Sequence, residues 1–124
     1  MGQKVAILGA SQKPERYSYK AFHMLKEYGH TPLPVSPTLK ELEGSAVYGA
    51  LAQIKEPVDT LTMYVGPQIS ASLYAEILKL KPKRVIFNPG SENPELEKSL
   101  AAAGIHVVEA CTLVLLRTNQ FETA

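Results

Sequence analysis

The chain has 124 residues, 45% of them hydrophobic, and carries 13 basic against 12 acidic side chains for a formal net charge of +1. That length suits a single domain, residues 1–124, able to bury a core unaided, and its one cysteine excludes an intramolecular disulfide. The balanced charge argues against a nucleic-acid-binding face, and no apolar run approaches the ~20 residues that span a bilayer.

Val5 to Leu8 is an apolar run of strand length that turns at Gly9-Ala10-Ser11. Its early start leaves no room for a signal peptide, so a soluble cytoplasmic domain is expected. Ala21, Met24, Leu25 and Tyr28 recur along one helix face, with Ser18 as N-cap and Gly29 just past the end. Thr31 to Val35 reads as a strand near the sheet edge, because Pro32 and Pro34 would interrupt a central ladder. Leu39 to Leu42 reads as a helical turn, and Gly49 to Ile54 as a small helix. Val58 to Val65 is a long strand ending at Gly66-Pro67, and Ile69, Leu73, Ile77 and Leu80 form a second helical stripe. Val85-Ile86-Phe87 is a strand that ends at Asn88-Pro89-Gly90. Asn93 caps a helix with Pro94 at its first position, carrying Leu96, Leu100 and Ala103 and closed by Gly104. Ile105 to Val108 is the last strand and Cys111 to Arg117 a terminal helix, while Asn119 to Ala124 is expected to fray.

Apolar strands alternating with helices predict an α/β, Rossmann-like, doubly wound and mainly parallel sheet of about five strands, with helices on both faces. In that architecture ligands bind at the carboxyl ends of the strands, beside the point where strand order reverses. Glycine, proline and small residues collect at four of the five ends: Gly9-Ala10-Ser11, Val35-Ser36-Pro37, Val65-Gly66-Pro67 and Asn88-Pro89-Gly90. Such residues let backbone approach a flat or phosphorylated ligand, although turn geometry alone also selects them.

The identity of the nucleotide is narrowed by what is missing. A dinucleotide fingerprint needs glycines where this chain has Ser11 and Pro14, and an acidic residue where it has Ser36-Pro37. No Gly-Lys-Ser/Thr occurs, so a Walker A loop is absent. What remains is a phosphate-binding turn followed by Lys13, Arg16 and Lys20, cations that oppose the helix dipole unless an anion lies between, or that form a solvated surface cluster.

The run Val5-Ala6-Ile7-Leu8-Gly9-Ala10-Ser11, then Pro14-Glu15-Arg16 and Ser18-Tyr19, resembles the small CoA-binding domain proteins. These are single-domain relatives of the N-terminal domain of the succinyl-CoA synthetase α subunit. The resemblance continues through Gly29-His30, Pro34-Val35-Ser36-Pro37, Leu42-Glu43-Gly44, Val47-Tyr48 and Val58-Asp59, and resumes at Ala103-Gly104-Ile105 and Glu109-Ala110-Cys111-Thr112. It implies coenzyme A or an acyl-CoA as ligand. Gly9, Ala10 and Ser11 would approach the diphosphate through backbone groups, with Arg16 neutralising charge and Lys13 and Lys20 assisting. Val35, Ser36 and Pro37 would border the adenosine, with Lys40 in reach of its 3′-phosphate. Val65, Gly66 and Pro67 would line the crevice, and Asn88, Pro89 and Gly90 its far wall near the pantetheine. Two departures stand out: Ser36 replaces a frequent asparagine, and Phe87-Asn88-Pro89-Gly90 replaces a Trp-x-Gln-x-Gly segment.

His23 reads as lying on a polar helix face, His30 in a turn, and His106 in a strand without metal-ligand spacing, so none is assigned to a metal or to catalysis. Cys111 follows the last strand but lacks a recognisable base, which favours a buried structural cysteine. Tyr17, Tyr19 and Tyr48 either stack on adenine or pack. With no catalytic set identifiable, the leading reading is a CoA-binding module of regulatory or accessory kind. An NAD(P)-binding oxidoreductase or redox sensor and a ligand-free interaction subunit are the alternatives. The run Leu113 to Leu116 either seals the sheet or forms a dimer face, and a homodimer and an unidentified partner protein both stay open.

Overall fold

The computed structural model describes residues 2–124. In chain order it runs β1 (Lys4–Leu8), α1 (Tyr17–Glu27), β2 (Thr31–Val35), β3 (Glu41–Leu42), β4 (Ser45–Ala46) and a short 3-10 turn at Leu51–Gln53. It continues through β5 (Thr60–Met63), α2 (Pro67–Ser70), α3 (Tyr74–Leu80), β6 (Arg84–Phe87), α4 (Pro94–Ala102), β7 (His106–Glu109) and α5 (Thr112–Arg117). The main sheet has five strands in the order β2-β1-β5-β6-β7, all parallel, and β3 and β4 form a separate antiparallel hairpin. The expected doubly wound α/β fold is the one observed. The chain steps outward from β1 to β2 and returns on the other side of β1 at β5, so strand order reverses between β1 and β5.

Side-chain alternation along each strand divides the core. Ala6, Leu61, Met63, Val85 and Phe87 pack with Ile77 of α3 and Leu96 and Leu100 of α4. Val5, Ile7 and Ile86 point the other way, against Phe22 and Leu25 of α1 and Leu115 and Leu116 of α5. Both faces of the sheet are thereby covered, as an all-parallel sheet requires. β2 is an edge strand, as its prolines predict. Thr31 donates inward to Gln3, and alternation turns Pro32 and Pro34 outward, where the missing N–H breaks no ladder bond.

Several local expectations are corrected. Ser18 does not cap α1; it is buried inside the helix, Arg16 occupies the cap position, and no side chain caps it. The buried face of α1 is Ser18, Ala21, Phe22 and Leu25, whereas Tyr28 is exposed. The Leu39 to Leu42 helical turn is instead the entry to the β3–β4 hairpin, whose Glu43-Gly44 turn takes positive φ at both residues, as a type I′ turn demands. The ladder over Val58 to Val65 is limited to Thr60–Met63, and the stripe from Ile69 to Leu80 is split into α2 and α3 with Ile69 exposed.

The tail does not fray. Phe121 is 2% exposed and packs at a tilt of 58° against His30, ring centroids 4.8 Å apart. The Arg84 guanidinium lies 4.5 Å from the Phe121 ring and donates to the carbonyls of Phe121 and Ala124 and to Thr60 and Gln3. His30 is buried and its Nδ1 accepts the Gln3 N–H at 2.9 Å, so the neutral ring is the one that fits. Burial is the main cause holding its pKa below the ordinary 6.5; Glu122 opposes the shift and Arg84 adds to it. A lowered native pKa makes the unfolded chain the better proton acceptor. This contribution to stability is therefore complete above pH 6.5 and declines as pH falls toward the native pKa. Urea unfolding from about pH 8 to about pH 5 should show that decline in the wild type and a shallower one in His30→Gln.

Candidate functional site

The reversal of strand order places the ends of β1, β2 and β5 side by side, and their geometry begins with Gly9. Its φ is +93°, and a Cβ there would lie 3.0 Å from Val65 Cγ1 and 3.1 Å from the Tyr64 carbonyl oxygen. Glycine is required twice over, for backbone sign and for closeness to the end of β5. The turn then folds back on β2, because the N–H groups of Gly9 and Ala10 both donate to the Val35 carbonyl, at 3.1 and 3.0 Å. Those two donors are used internally. By contrast, the N–H groups of Ser11, Gln12, Tyr17, Ser18 and Tyr19 find no acceptor among the described residues. The first turn of α1 contains no acidic residue, and Lys13, Arg16 and Lys20 are exposed around it. Free donors at the positive end of a helix, with three exposed cations against one exposed acid, Glu15, in the adjoining loop and first turn, suit a phosphate group.

The other sequence-derived residues divide by role. Ser36 is buried, and its Oγ accepts the N–H groups of Thr38 and Leu39 at 3.3 Å, shaping the loop that presents exposed Pro37 and Lys40. Val65 and Gly66 are half-buried at the end of β5, and Pro67 is exposed at the first position of α2. Pro89 and Gly90 are exposed one strand further out, Gly90 with φ +93°. Cys111, at the end of β7, is half-buried and not the buried cysteine expected, and it is separated from β1 by β5 and β6. A groove of about 540 Å³ opens beside the crevice, between α2–α3 and α4, and meets it at Pro67.

Asn88 builds the wall with its whole side chain. Its Nδ2 donates to Thr62 Oγ1 at 2.7 Å and to the Met63 carbonyl at 2.8 Å, and its Oδ1 accepts the Thr112 N–H at 2.8 Å. The Thr62 and Thr112 hydroxyls are themselves 2.8 Å apart. One buried amide thus joins the ends of β5 and β6 to the start of α5. Asn93 extends the pattern, capping α4 through Leu96 N–H at 3.2 Å and donating to Ser70 Oγ at 2.9 Å. Sequence reasoning found Asn88 and Asn93 but missed Thr62, Thr112 and Ser70. The available signal was Thr60-Leu61-Thr62-Met63, where hydroxyls alternate within a fully buried strand.

Tyr64 continues that row at the crevice, and its hydroxyl is buried without a hydrogen-bond partner among the described residues. Burial pushes its pKa up to about 12; the Thr112 and Thr62 hydroxyls lie near enough to oppose the shift, yet neither completes a hydrogen bond. The phenol is neutral across the physiological range. Beside the same core cluster, Glu43 accepts the Tyr19 hydroxyl and lies 3.2 Å from His23 Nε2. The Tyr19 bond leads the effects that hold the Glu43 carboxyl below the usual carboxylate range.

A family model described as a CoA binding domain matches residues 3–117. The crystal structure of an uncharacterized protein is similar to this chain with a TM-score of 0.92 at 45% identity, covering 98% of this chain and 99% of that one. Uncharacterized protein YneT of Bacillus subtilis is 24% identical over 106 residues, 86% of this chain and 78% of YneT. The α subunit of the ADP-forming acetate–CoA ligase II of Pyrococcus furiosus is 28% identical over 103 residues. That match takes in 77% of this chain and spans 22% of the ligase subunit. No helix among the described residues is long and apolar enough to cross a membrane.

Two substitutions probe the framework of the crevice. Gly9→Ala should lower unfolding stability by about 1–3 kcal/mol in a urea titration, through positive φ and the contact with Val65 and Tyr64. Asn88→Ala should cost about 2–3 kcal/mol by the same measurement, because it strands partners on two strands and α5.

Proposed function

This chain belongs to the CoA binding domain family, and on that premise we propose that it binds coenzyme A, or an acyl-CoA, noncovalently along the strand ends. The observation that carries the proposal is the start of α1, where unpartnered N–H groups and the cations Lys13, Arg16 and Lys20 meet at the reversal of strand order. Gly9 and Ala10 act as the hinge of this turn and give their own N–H groups to Val35. The diphosphate therefore takes the donors of Ser11, Gln12 and the first turn of α1, with Arg16 as countercharge and Lys13 and Lys20 assisting. Ser36 and Pro37 border the adenosine, and exposed Lys40 serves the 3′-phosphate. Val65, Gly66 and Pro67 line the crevice. Pro89 and Gly90 face the pantetheine, with Asn88 holding that wall rigid from behind.

The protein acts as a regulatory or accessory module in this reading. The ligase relative supports it: this chain corresponds to about a fifth of that subunit, so the remaining chemistry belongs to segments this chain does not match. A partner protein would supply it.

A ligand that binds only the native state raises stability by RT ln(1 + [L]/Kd), which is about 2.7 kcal/mol at a hundredfold excess over Kd. A thermal-shift panel should therefore show CoA raising Tm by several degrees, dephospho-CoA raising it less, and NAD leaving it nearly unchanged. Absence of any shift with millimolar CoA would sink the proposal. A larger shift with NADH than with CoA would transfer it to the oxidoreductase class.

A further inference from the structure

The β3–β4 hairpin turns on Glu43 and Gly44, with φ of +47° and +86°. Gly44 is what such a turn calls for. Glu43 is not, because a side chain with a Cβ is disfavoured in the left-handed region and a glutamate has no short polar group to compensate locally. An outlier of this kind invites a search for what the side chain does. Its carboxylate accepts the Tyr19 hydroxyl and lies 3.2 Å from His23 Nε2. Tyr19 and His23 stand one turn apart on α1, ring centroids 4.6 Å from each other. The preceding residue, Leu42, is 2% exposed and packs with Phe22 and Leu25 of the same helix. The hairpin is thus drawn onto α1 by two consecutive side chains, one apolar and one charged.

This contact closes a loop around the proposed phosphate site. The segment Ser36–Lys40 leads from the end of β2 into the hairpin, and the loop Ser11–Arg16 leads from the end of β1 into α1. The hydrogen bonds of Gly9 and Ala10 to Val35 join those segments at their base, and Glu43 joins them again at the far side. We propose that Glu43 is a positioning residue: it latches the hairpin to α1 and so sets the spacing between Ser36–Lys40 and Ser11–Arg16, the two sides of the ligand mouth. The proposal rests on the CoA reading above. Without the latch, the mouth is correctly formed only part of the time, and apparent affinity falls by that fraction.

Glu43→Gly separates this role from a purely structural one. Glycine accepts φ +47° freely, so a turn that Glu43 merely occupies gains stability or keeps it. The latch predicts that Glu43→Gly leaves the Tm of the unliganded protein unchanged or raised while the Kd for CoA, measured by calorimetry, rises about tenfold. Wild-type affinity in the variant would overturn the proposal, and so would a loss of affinity accompanied by a lowered unliganded Tm. If the wild type itself binds no CoA at millimolar concentration, the CoA reading fails, and hydrogen exchange of the unliganded proteins decides the latch. Faster exchange over residues 38–48 in Glu43→Gly supports it; equal exchange rejects it.

Discussion

Close contact between the end of β1 and the end of β5 is the constraint from which the site is built. A Cβ at residue 9 would press on Val65 and Tyr64 at 3.0–3.2 Å, and the residue must hold φ at +93°. Once glycine satisfies both demands, the chain turns back sharply enough for two successive N–H groups to reach the Val35 carbonyl. That pair of bonds brings β2 to the same edge and sets where Ser36 begins its own turn. The order of dependence runs from one missing methyl group to three strand ends. The set of free donors at α1 is the residue of that geometry: the donors that the turn does not consume.

The second theme is polar chemistry inside a covered sheet. The face of β5 toward α1 and α5 carries Thr60, Thr62 and then Tyr64, where its opposite face carries Leu61 and Met63. Each buried hydroxyl requires a partner or a reason, since an unmade hydrogen bond costs more than a made one gains. Thr60 meets the Arg84 guanidinium, which tethers the tail, and Thr62 meets Asn88, which tethers α5. Tyr64 is left without one. Directional bonds of this kind position the strand ends more narrowly than apolar packing does, because apolar contacts tolerate sliding.

Much of this was legible in the residues themselves. Proline spacing placed β2 at an edge, Asn93-Pro94 marked a helix start, and apolar runs closed by Gly and Pro marked the strand ends. Features set by distant contacts were not legible. Leu39 to Leu42 has spacing that a helical turn also satisfies, whereas in the hairpin Leu42 packs on α1 and Glu43 accepts the Tyr19 hydroxyl, contacts with residues distant in sequence. The final residues look polar and terminal, yet one aromatic, Phe121, finds His30 and Arg84 far away in sequence. The free donors at α1 were foreseen in kind but not in register: the sequence reading assigned Gly9 and Ala10 to the phosphate, and only the fold shows their N–H groups already engaged by Val35.

The prolines of β2 have a consequence beyond topology. On the outer side of that strand the chain makes one short bridge, with Tyr48 donating to the Pro34 carbonyl and accepting from Ser36. A strand arriving from another molecule would face two positions with no hydrogen to offer and a third already taken. Sheets that end in unguarded edges recruit further strands and grow into aggregates. Here the border strand is chemically sealed, so the crevice beside it can stay open to solvent without that edge becoming adhesive.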